Sequence, residues 1–547
     1  MPTVTLYGGA GTIGGNKILL EDGESRLFFD FGTAFKVREK YFEEYLNPRS
    51  GAGLLDLLEM DYAPYGHLLP PLEGIYRPDL VPPGDVWSRY RQDPHYRQLD
   101  RLDGVLVSHA HVDHTGYISF LREEIPVYAS AMTAFVAKAM QDSGVSDFEK
   151  EVCYLNLRGV DPKAAEVDER GYLTTLREHR QRPFAFVDTP ELAEAALRFW
   201  NWTPAVSKKL IVPTGTPPAP DRVGSLRLRC WPVDHSIHGA STWAVETSAG
   251  WVVYTGDLRL HGSRGEQTQR FISEARTLRP RLLLCEGTRV PQRGAEDEPE
   301  APVITEKDVE QNALRQVEDE EGLVVADFGP RNVERLQAFL RIAKQVGRTL
   351  VVLAKDAYLL NAMNLLDATI PAVHRQPLLR IYKDLKSKPQ SWEKNLREEH
   401  RDRFVTPREV QESPDSYILC FSFWDVKNLI DISPRGGRYI YSSSEAYTEE
   451  QRLDLERLHN WLEHFGMKGV GLPLSDGGDQ PRFAPKEQGL HASGHASAED
   501  LLALVREIGP KTVVPVHTEN PGYFAEKLRN TGIEVRVLAY GEAYCFG

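Results

Sequence analysis

Cysteine is scarce in this chain. Cys153, Cys230, Cys285, Cys420 and Cys545 are spread far apart, odd in number and form no Cys-x-x-Cys pair. That excludes a disulfide-stapled scaffold and leads us to expect reduced, mostly buried thiols in a cytoplasmic setting. Long apolar runs are missing as well, so no membrane span is expected. Met1-Pro2-Thr3-Val4 leads straight into a strand-like segment, and no signal peptide is expected there. Positive charge is short: 65 Lys and Arg against 79 Asp and Glu give a net charge of −14. Binding to nucleic acid driven by overall charge is thus disfavoured, although a local basic groove can sit on an acidic protein. The glycine-dense stretch Gly8-Gly9-Ala10-Gly11-Thr12-Ile13-Gly14-Gly15-Asn16 lacks both the Lys-Ser/Thr ending of a phosphate loop and the spacing of a dinucleotide fingerprint. It supplies a tight, close-packed turn instead. What remains is an ordinary globular composition over 547 residues, enough for about three or four domain-sized units.

Against these absences one stretch stands out: Val105-Leu106-Val107-Ser108-His109-Ala110-His111-Val112-Asp113-His114-Thr115-Gly116. It opens as a β-branched apolar run, which reads as a buried strand, and then places three histidines and an aspartate within six residues. Imidazole and carboxylate suit zinc or a similar divalent ion, and residues in a tight turn beyond a buried strand can converge on one point.

The same device recurs along the chain. Leu27-Phe28-Phe29-Asp30 is a buried strand ending in a carboxylate, Leu226 to Pro232 alternates like a strand and delivers His235, and Trp251 to Gly256 delivers Asp257. Leu282-Leu283-Leu284-Cys285-Glu286 ends in a carboxylate, and Thr512-Val513-Val514-Pro515-Val516 delivers His517. His491 and His495 lie in a loop before a helix for which Ser497 is the expected N-cap. His238 and His261 read as substrate-facing or surface residues. Residues 36–100, aromatic-rich and proline-punctuated, read as an insertion over the site mouth or in a dimer interface, and 145–210 as a second, helical and charged insertion. After an acidic linker from Arg289 to Pro302, strands alternate with helical stretches near 306–319, 331–346 and 448–465. That alternation predicts a parallel, helix-flanked sheet. The basic run Arg380 to Arg403, interleaved with Tyr382 and Trp392, reads chiefly as a solvated helical face.

His-Ala-His-Val-Asp-His resembles the HxHxDH signature of the metallo-β-lactamase superfamily. Cys285-Glu286-Gly287-Thr288, His491-Ala492-Ser493-Gly494-His495 and Pro515-Val516-His517-Thr518-Glu519, in this order, resemble motifs A, B and C of its β-CASP branch, and within it the ribonuclease J group. Gly329 to Arg335 and Ser442-Ser443-Ser444 resemble the inserted domain of these nucleases. The fold so implied is α/β: an αββα metallo-β-lactamase sandwich over 1–288 and 481–547, with a β-CASP parallel-sheet domain inserted at 289–480. The chain ends soon after motif C, so the C-terminal assembly domain of bacterial ribonuclease J is expected to be absent.

The resemblance also implies chemistry. His109, His111, His235 and a bridging Asp257 would hold one divalent ion, and Asp113, His114, Asp257 and His517 a second. Zinc is the first expectation and manganese the alternative. Asp30 would support the metal loop by hydrogen bonds. The implied reaction is two-metal phosphodiester hydrolysis, with His495 as general acid and Glu286 fixing its tautomer. His491, Ser493 and Ser444 would hold a substrate phosphate. His517 favours single-stranded RNA as substrate, with ribonuclease J-like 5′ exonuclease or endonuclease action. DNA or a small phosphodiester is the alternative within the fold, and a catalytically silent scaffold of a nucleic-acid processing complex is the alternative outside enzymes. A homodimer without membrane attachment is expected by the same resemblance.

Overall fold

The computed structural model describes residues 1–547 apart from 44, 82–84, 146, 161–172, 190, 206–209, 215–217, 295–301, 330, 444–448 and 473–488; the side chains of 177 and 449–453 also lie outside the described set. Two seven-stranded sheets face each other. The first runs, edge to edge, Phe184–Phe186, Val127–Ala129, Gly104–Leu106, Ser25–Phe29, Ile18–Asp22, Thr3–Leu6 and Ala543–Cys545. The second runs Arg222–Val223, Leu226–Pro232, Ser241–Thr247, Gly250–Tyr254, Leu282–Glu286, Thr512–Val516 and Glu534–Val535.

Side-chain alternation builds the layers. Ile18, Leu20, Leu27 and Phe29 point inward to meet Trp243, Val252, Tyr254, Leu282 and Leu284 of the opposite sheet. Their neighbours Leu19 and Phe28 point outward beneath the helix Ala131–Ser143. On the far side Leu283, Cys285 and Val513 point outward beneath Gly265–Leu278 and Ala498–Ile508. Strands apolar on both faces are those of a sandwich covered by helices. Each large side chain so buried contributes about 1.5–3 kcal/mol. The result is the αββα arrangement implied by the resemblance.

Between Leu282–Glu286 and Thr512–Val516, which are hydrogen-bonded neighbours in the second sheet, the chain makes a long excursion. It builds a third sheet in the order Phe404–Val405, Leu379–Tyr382, Thr349–Val352, Tyr417–Cys420, Val324–Asp327, Arg438–Tyr441 and Lys468–Val470. Every pairing in it is parallel, as the strand and helix alternation predicts. Helices Glu306–Glu318, Val333–Val346 and Ala354–Asn364 cover one face. The apolar cluster on that face also takes in Ala110, Val136, Ala139 and Ile237, so the inserted sheet is packed onto the sandwich beside the histidine loop.

Three expectations need correction. Residues 36–100 are not a mere appendage to the sandwich: Leu54, Leu57, Leu68, Leu69, Leu72 and Ile75 are buried with Leu19, Phe28 and Val105 in the outer layer of the first sheet. Tyr76 and Tyr90 belong to that core, whereas Tyr45 stays exposed. Residues 145–210 are not mainly helical either. Tyr154–Val160 and Leu173–Gln181 form an antiparallel hairpin, joined by Leu210–Ile211, and only Glu194–Trp200 is an α-helix of more than four residues among the described part. Leu173–Gln181 is polar at most positions, so no apolar alternation marks it; its pairing with Tyr154–Val160 makes it a strand. The basic run is not a single solvated helical face: it opens in the strand Leu379–Tyr382, and the helix Ser391–Glu399 buries Trp392 and Glu393, with Lys386 and Arg397 paired to Glu393 and Asp384.

Candidate metal centre

The strands Gly104–Leu106, Leu226–Pro232, Gly250–Tyr254, Leu282–Glu286 and Thr512–Val516 all release their chemistry-bearing residues at one edge of the sandwich. His109 and His111 follow the first, and Asp113 and His114 sit in the short helix Val112–Thr115 just beyond. His235, Asp257 and His517 follow their strands within three residues, and Glu286 closes its own. The chain must turn sharply to do this. Asp30 and His517 adopt positive φ values of 52° and 53°. Gly32 permits the closest approach: a Cβ there would lie 1.7 Å from the Asp113 carbonyl oxygen.

The donor atoms converge in overlapping groups of three, one of which also brings His495 to His235 and Asp257. His109 Nε2 lies 2.9 Å from His111 Nδ1, which is 3.3 Å from His235 Nε2. His114 Nε2 lies 3.1 Å from Asp257 Oδ2 and 3.6 Å from Asp113 Oδ2. His517 Nε2 is 3.9 Å from Asp113 Oδ2. The atoms of His109, His111 and His235 all lie within 4.8 Å of one another, as do those of Asp113, His114 and His517, while Asp257 joins His109 and His114 in a third such group.

Hydrogen bonds fix which ring nitrogen faces the centre. His114 Nδ1 donates to Asp30 Oδ2 at 2.7 Å, His235 Nδ1 to the Gly494 carbonyl at 2.5 Å, and His517 Nδ1 to Asn16 Oδ1 at 3.3 Å. In each, Nε2 is the ring nitrogen that faces inward. Asp30 is the hub beneath: it also accepts from Ser108 N, Ser108 Oγ and Tyr254 Oη, each at 2.7 Å.

The charges favour a cation. Burial, with the neighbouring cationic groups, holds His109, His111 and His235 well below the ordinary imidazole range, so they are neutral donors. Asp113 and Asp257 remain ionised despite burial, through the histidines around them. His114 is held well above its ordinary value against burial because Asp257, Asp113 and Asp30 surround it. Asp257 Oδ1 and His114 Nε2 are buried without a hydrogen-bond partner among the described residues. Neutral nitrogens, a surplus of carboxylate and inward-facing orphan atoms fit a divalent metal.

Next to this centre His495 Nδ1 lies 3.2 Å from Glu286 Oε2 and 4.0 Å from Asp257 Oδ2. Burial opposes its protonation, but Glu286 outweighs burial and raises the ring to about 9. Glu286 is itself fixed by Leu258 N and by the Thr288 amide and hydroxyl. Of the expected phosphate-holding residues, Ser493 Oγ accepts from His495 N, and His491 lies 3.5 Å from the Ser442 carbonyl, lowered to about 4 by burial. Ser444 lies outside the described residues.

Several participants are not visible in the sequence. His261, expected to face substrate or solvent, instead donates to the Ser493 carbonyl at 3.0 Å, and burial lowers it. Arg259, two residues after Asp257, binds Asp234, Glu306, Glu334 and the Ser493 carbonyl. Arg335 binds Glu306 and the Ser442 carbonyl. These buried ion pairs join the sandwich, the inserted sheet and the His491–His495 loop. Arg331 is the exception among the buried arginines. Its charge acts on Asp113 and His111, yet its one hydrogen bond among the described residues is to Met140 Sδ, at 3.9 Å. Its signal in the sequence is the Gly329 to Arg335 stretch, whose resemblance to the inserted domain does not single out this arginine.

Two facing sheets with helices outside and a His/Asp cluster at their edge define a metallo-β-lactamase fold. Residues 78–170 match the beta-lactamase superfamily domain, and residues 484–538 match the Zn-dependent metallo-hydrolase RNA specificity domain. The chain is similar to ribonuclease J of Corynebacterium glutamicum, 23% identical over 94% of this chain and 53% of that protein. It is similar to ribonuclease J of Mycolicibacterium smegmatis, 23% identical over 77% and 59%, and of Pyrococcus abyssi, 26% identical over 52% and 58%. It thus spans just over half the length of these relatives. A crystal structure of a protein of unknown function from Enterococcus faecalis V583 aligns with a TM-score of 0.61, 23% identity and 99% of both chains, and shows the same fold. With the parallel-sheet insertion, these matches make the chain similar to the ribonuclease J proteins of the β-CASP branch.

Proposed function

We propose that this chain is a metal-dependent ribonuclease that hydrolyses phosphodiester bonds of single-stranded RNA, in 5′ exonuclease mode, endonuclease mode or both. The observation that carries this reading is the convergence of overlapping donor groups on Asp257 and His114 beside the His495–Glu286 pair. His109, His111, His235 and Asp257 would hold one divalent ion, and Asp113, His114, Asp257 and His517 another, zinc or manganese. Bound there, such ions polarise a phosphodiester oxygen and bring the pKa of water towards 7.

The chain's own residues do the rest. Glu286 takes the Nδ1 proton of His495 in a hydrogen bond and keeps the ring charged near neutral pH, so that Nε2–H can deliver a proton to the leaving oxygen. Arg331, with no carboxylate partner among the described residues, supplies a cation beside Asp113 for a phosphate of the strand. His491 contributes a neutral N–H, and Ser493 and Ser444 contribute hydroxyls. The relatives' name, ribonuclease J, and the RNA specificity domain support RNA over DNA or a small phosphodiester.

The test uses one RNA labelled at either end, bearing a 5′-hydroxyl, monophosphate or triphosphate, with His111→Ala protein as the blank. Mononucleotides released progressively from the 5′-monophosphate form establish exonuclease action, and discrete internal fragments establish endonuclease action. Intact RNA with a metal-loaded centre overturns the reading.

A further inference from the structure

Among the described large side chains the two most exposed aromatics are Tyr45, at 86%, and Trp424, at 68%. They come from different parts of the molecule, the sandwich and the inserted sheet, and they line the same cavity of about 410 Å3. Phe423, Val426, Lys427, Asp454, Arg457 and Trp461 complete the described lining. That volume is in the range of ligand pockets, about 300–1,000 Å3. An indole left this open costs solvation, and an exposed aromatic patch of this kind marks a binding surface.

Its position ties it to the metal centre. Phe423–Asn428 follows the carboxyl end of Tyr417–Cys420, which pairs in parallel with Val324–Asp327. The carboxyl end of that neighbouring strand leads through Phe328 to Arg331, whose charge acts on Asp113 and His111. The cleft therefore opens at the carboxyl edge of the inserted sheet, one strand from the loop that carries Arg331. Lys427 has no ion-pair partner among the described residues, and Arg457 pairs with Asp454 at 2.8 Å. On a protein of net charge −14, an unpaired lysine beside open aromatic faces suits a polyanion that also presents flat rings.

We infer that the Tyr45–Trp424 cleft is a second binding site for single-stranded RNA, distinct from the metal centre, in which bases stack on Trp424 and Tyr45 while Lys427 meets a phosphate. The inference rests on the proposed RNA substrate and adds a remote anchoring point to it.

Equilibrium binding of a fluorescein-labelled oligouridylate of about 15 nucleotides, within the range of single-strand site sizes, tests this with chelator present so that cleavage plays no part. Trp424→Ala is expected to weaken binding about tenfold, the worth of one stacked base. Trp424→Phe should recover most of the loss, because it keeps a stacking face. Lys427→Gln should reduce the slope of log K against log salt by about 0.7, one phosphate contact on a single strand. Unchanged affinity in Trp424→Ala overturns the inference, and so does an unchanged RNA affinity accompanied by loss of self-association, which would make the cleft a protein interface. Hydrolysis assays run in parallel separate the two claims: RNA cleaved normally with Trp424→Ala affinity intact defeats the cleft alone, whereas wild-type protein that cleaves no RNA defeats the proposed activity.

Discussion

Asp30 shows how much one buried side chain can decide. Four groups converge on its two oxygens, among them the Nδ1–H that orients His114. Asp30→Ala should therefore lower metal affinity about 10–100-fold, read by competition with a chromophoric chelator, and unchanged affinity would show that the ring is held by other means. His495 makes the contrasting prediction. It is placed for proton transfer, so His495→Ala should cut kcat about a hundredfold or more with bound metal retained. Loss of metal from that variant, or full turnover, would remove it from the proposed role. Most of these residues were legible because each stands immediately beyond a buried strand. Arg259, Arg331 and His261 were not, because their meaning comes from what the tertiary fold sets opposite them.

Loops and strands set these residues in place, and the inserted sheet is locked to them by charge. Arg259 alone engages three carboxylates, two from helices Glu306–Glu318 and Val333–Val346 and one beside His235. Replacing it by methionine keeps the volume but strands Asp234, Glu306 and Glu334 in a dry junction. The expected cost is about 3–5 kcal/mol of unfolding free energy in denaturant titration, and a loss under about 1 kcal/mol would mean that water or rearrangement compensates. At this scale sequence reading succeeded for long periodic elements: Ala131–Ser143, Val333–Val346 and the parallel strands fall where periodicity places them. It failed for Leu173–Gln181, which is polar at most positions, and for residues 36–100, whose apolar side chains serve the layer outside the first sheet.

Over the whole molecule, an acidic sandwich and an inserted parallel sheet enclose one edge where neutral histidines meet ionised carboxylates. The inserted sheet also carries Asp327 and Asp356, fully buried and pushed up by burial to about 7. Their folded-state values exceed the ordinary carboxylate value of about 3.9. The stability they confer is complete below about pH 4 and is lost as pH rises through about 7. Asp327→Asn, which keeps an acceptor for Tyr439, should thus gain stability relative to the parent between pH 5.5 and pH 8; a difference independent of pH would show that Asp327 does not hold its proton. Metals held at this edge are proposed to make the chain a ribonuclease. The most direct measurement is a titration of chelator-stripped protein with zinc or manganese, counting bound ions while following hydrolysis of one RNA. No hydrolysis is expected without metal, with activity rising as the second ion binds and none in Asp257→Ala. Hydrolysis that persists in the stripped protein, or full activity in Asp257→Ala, would contradict the proposal.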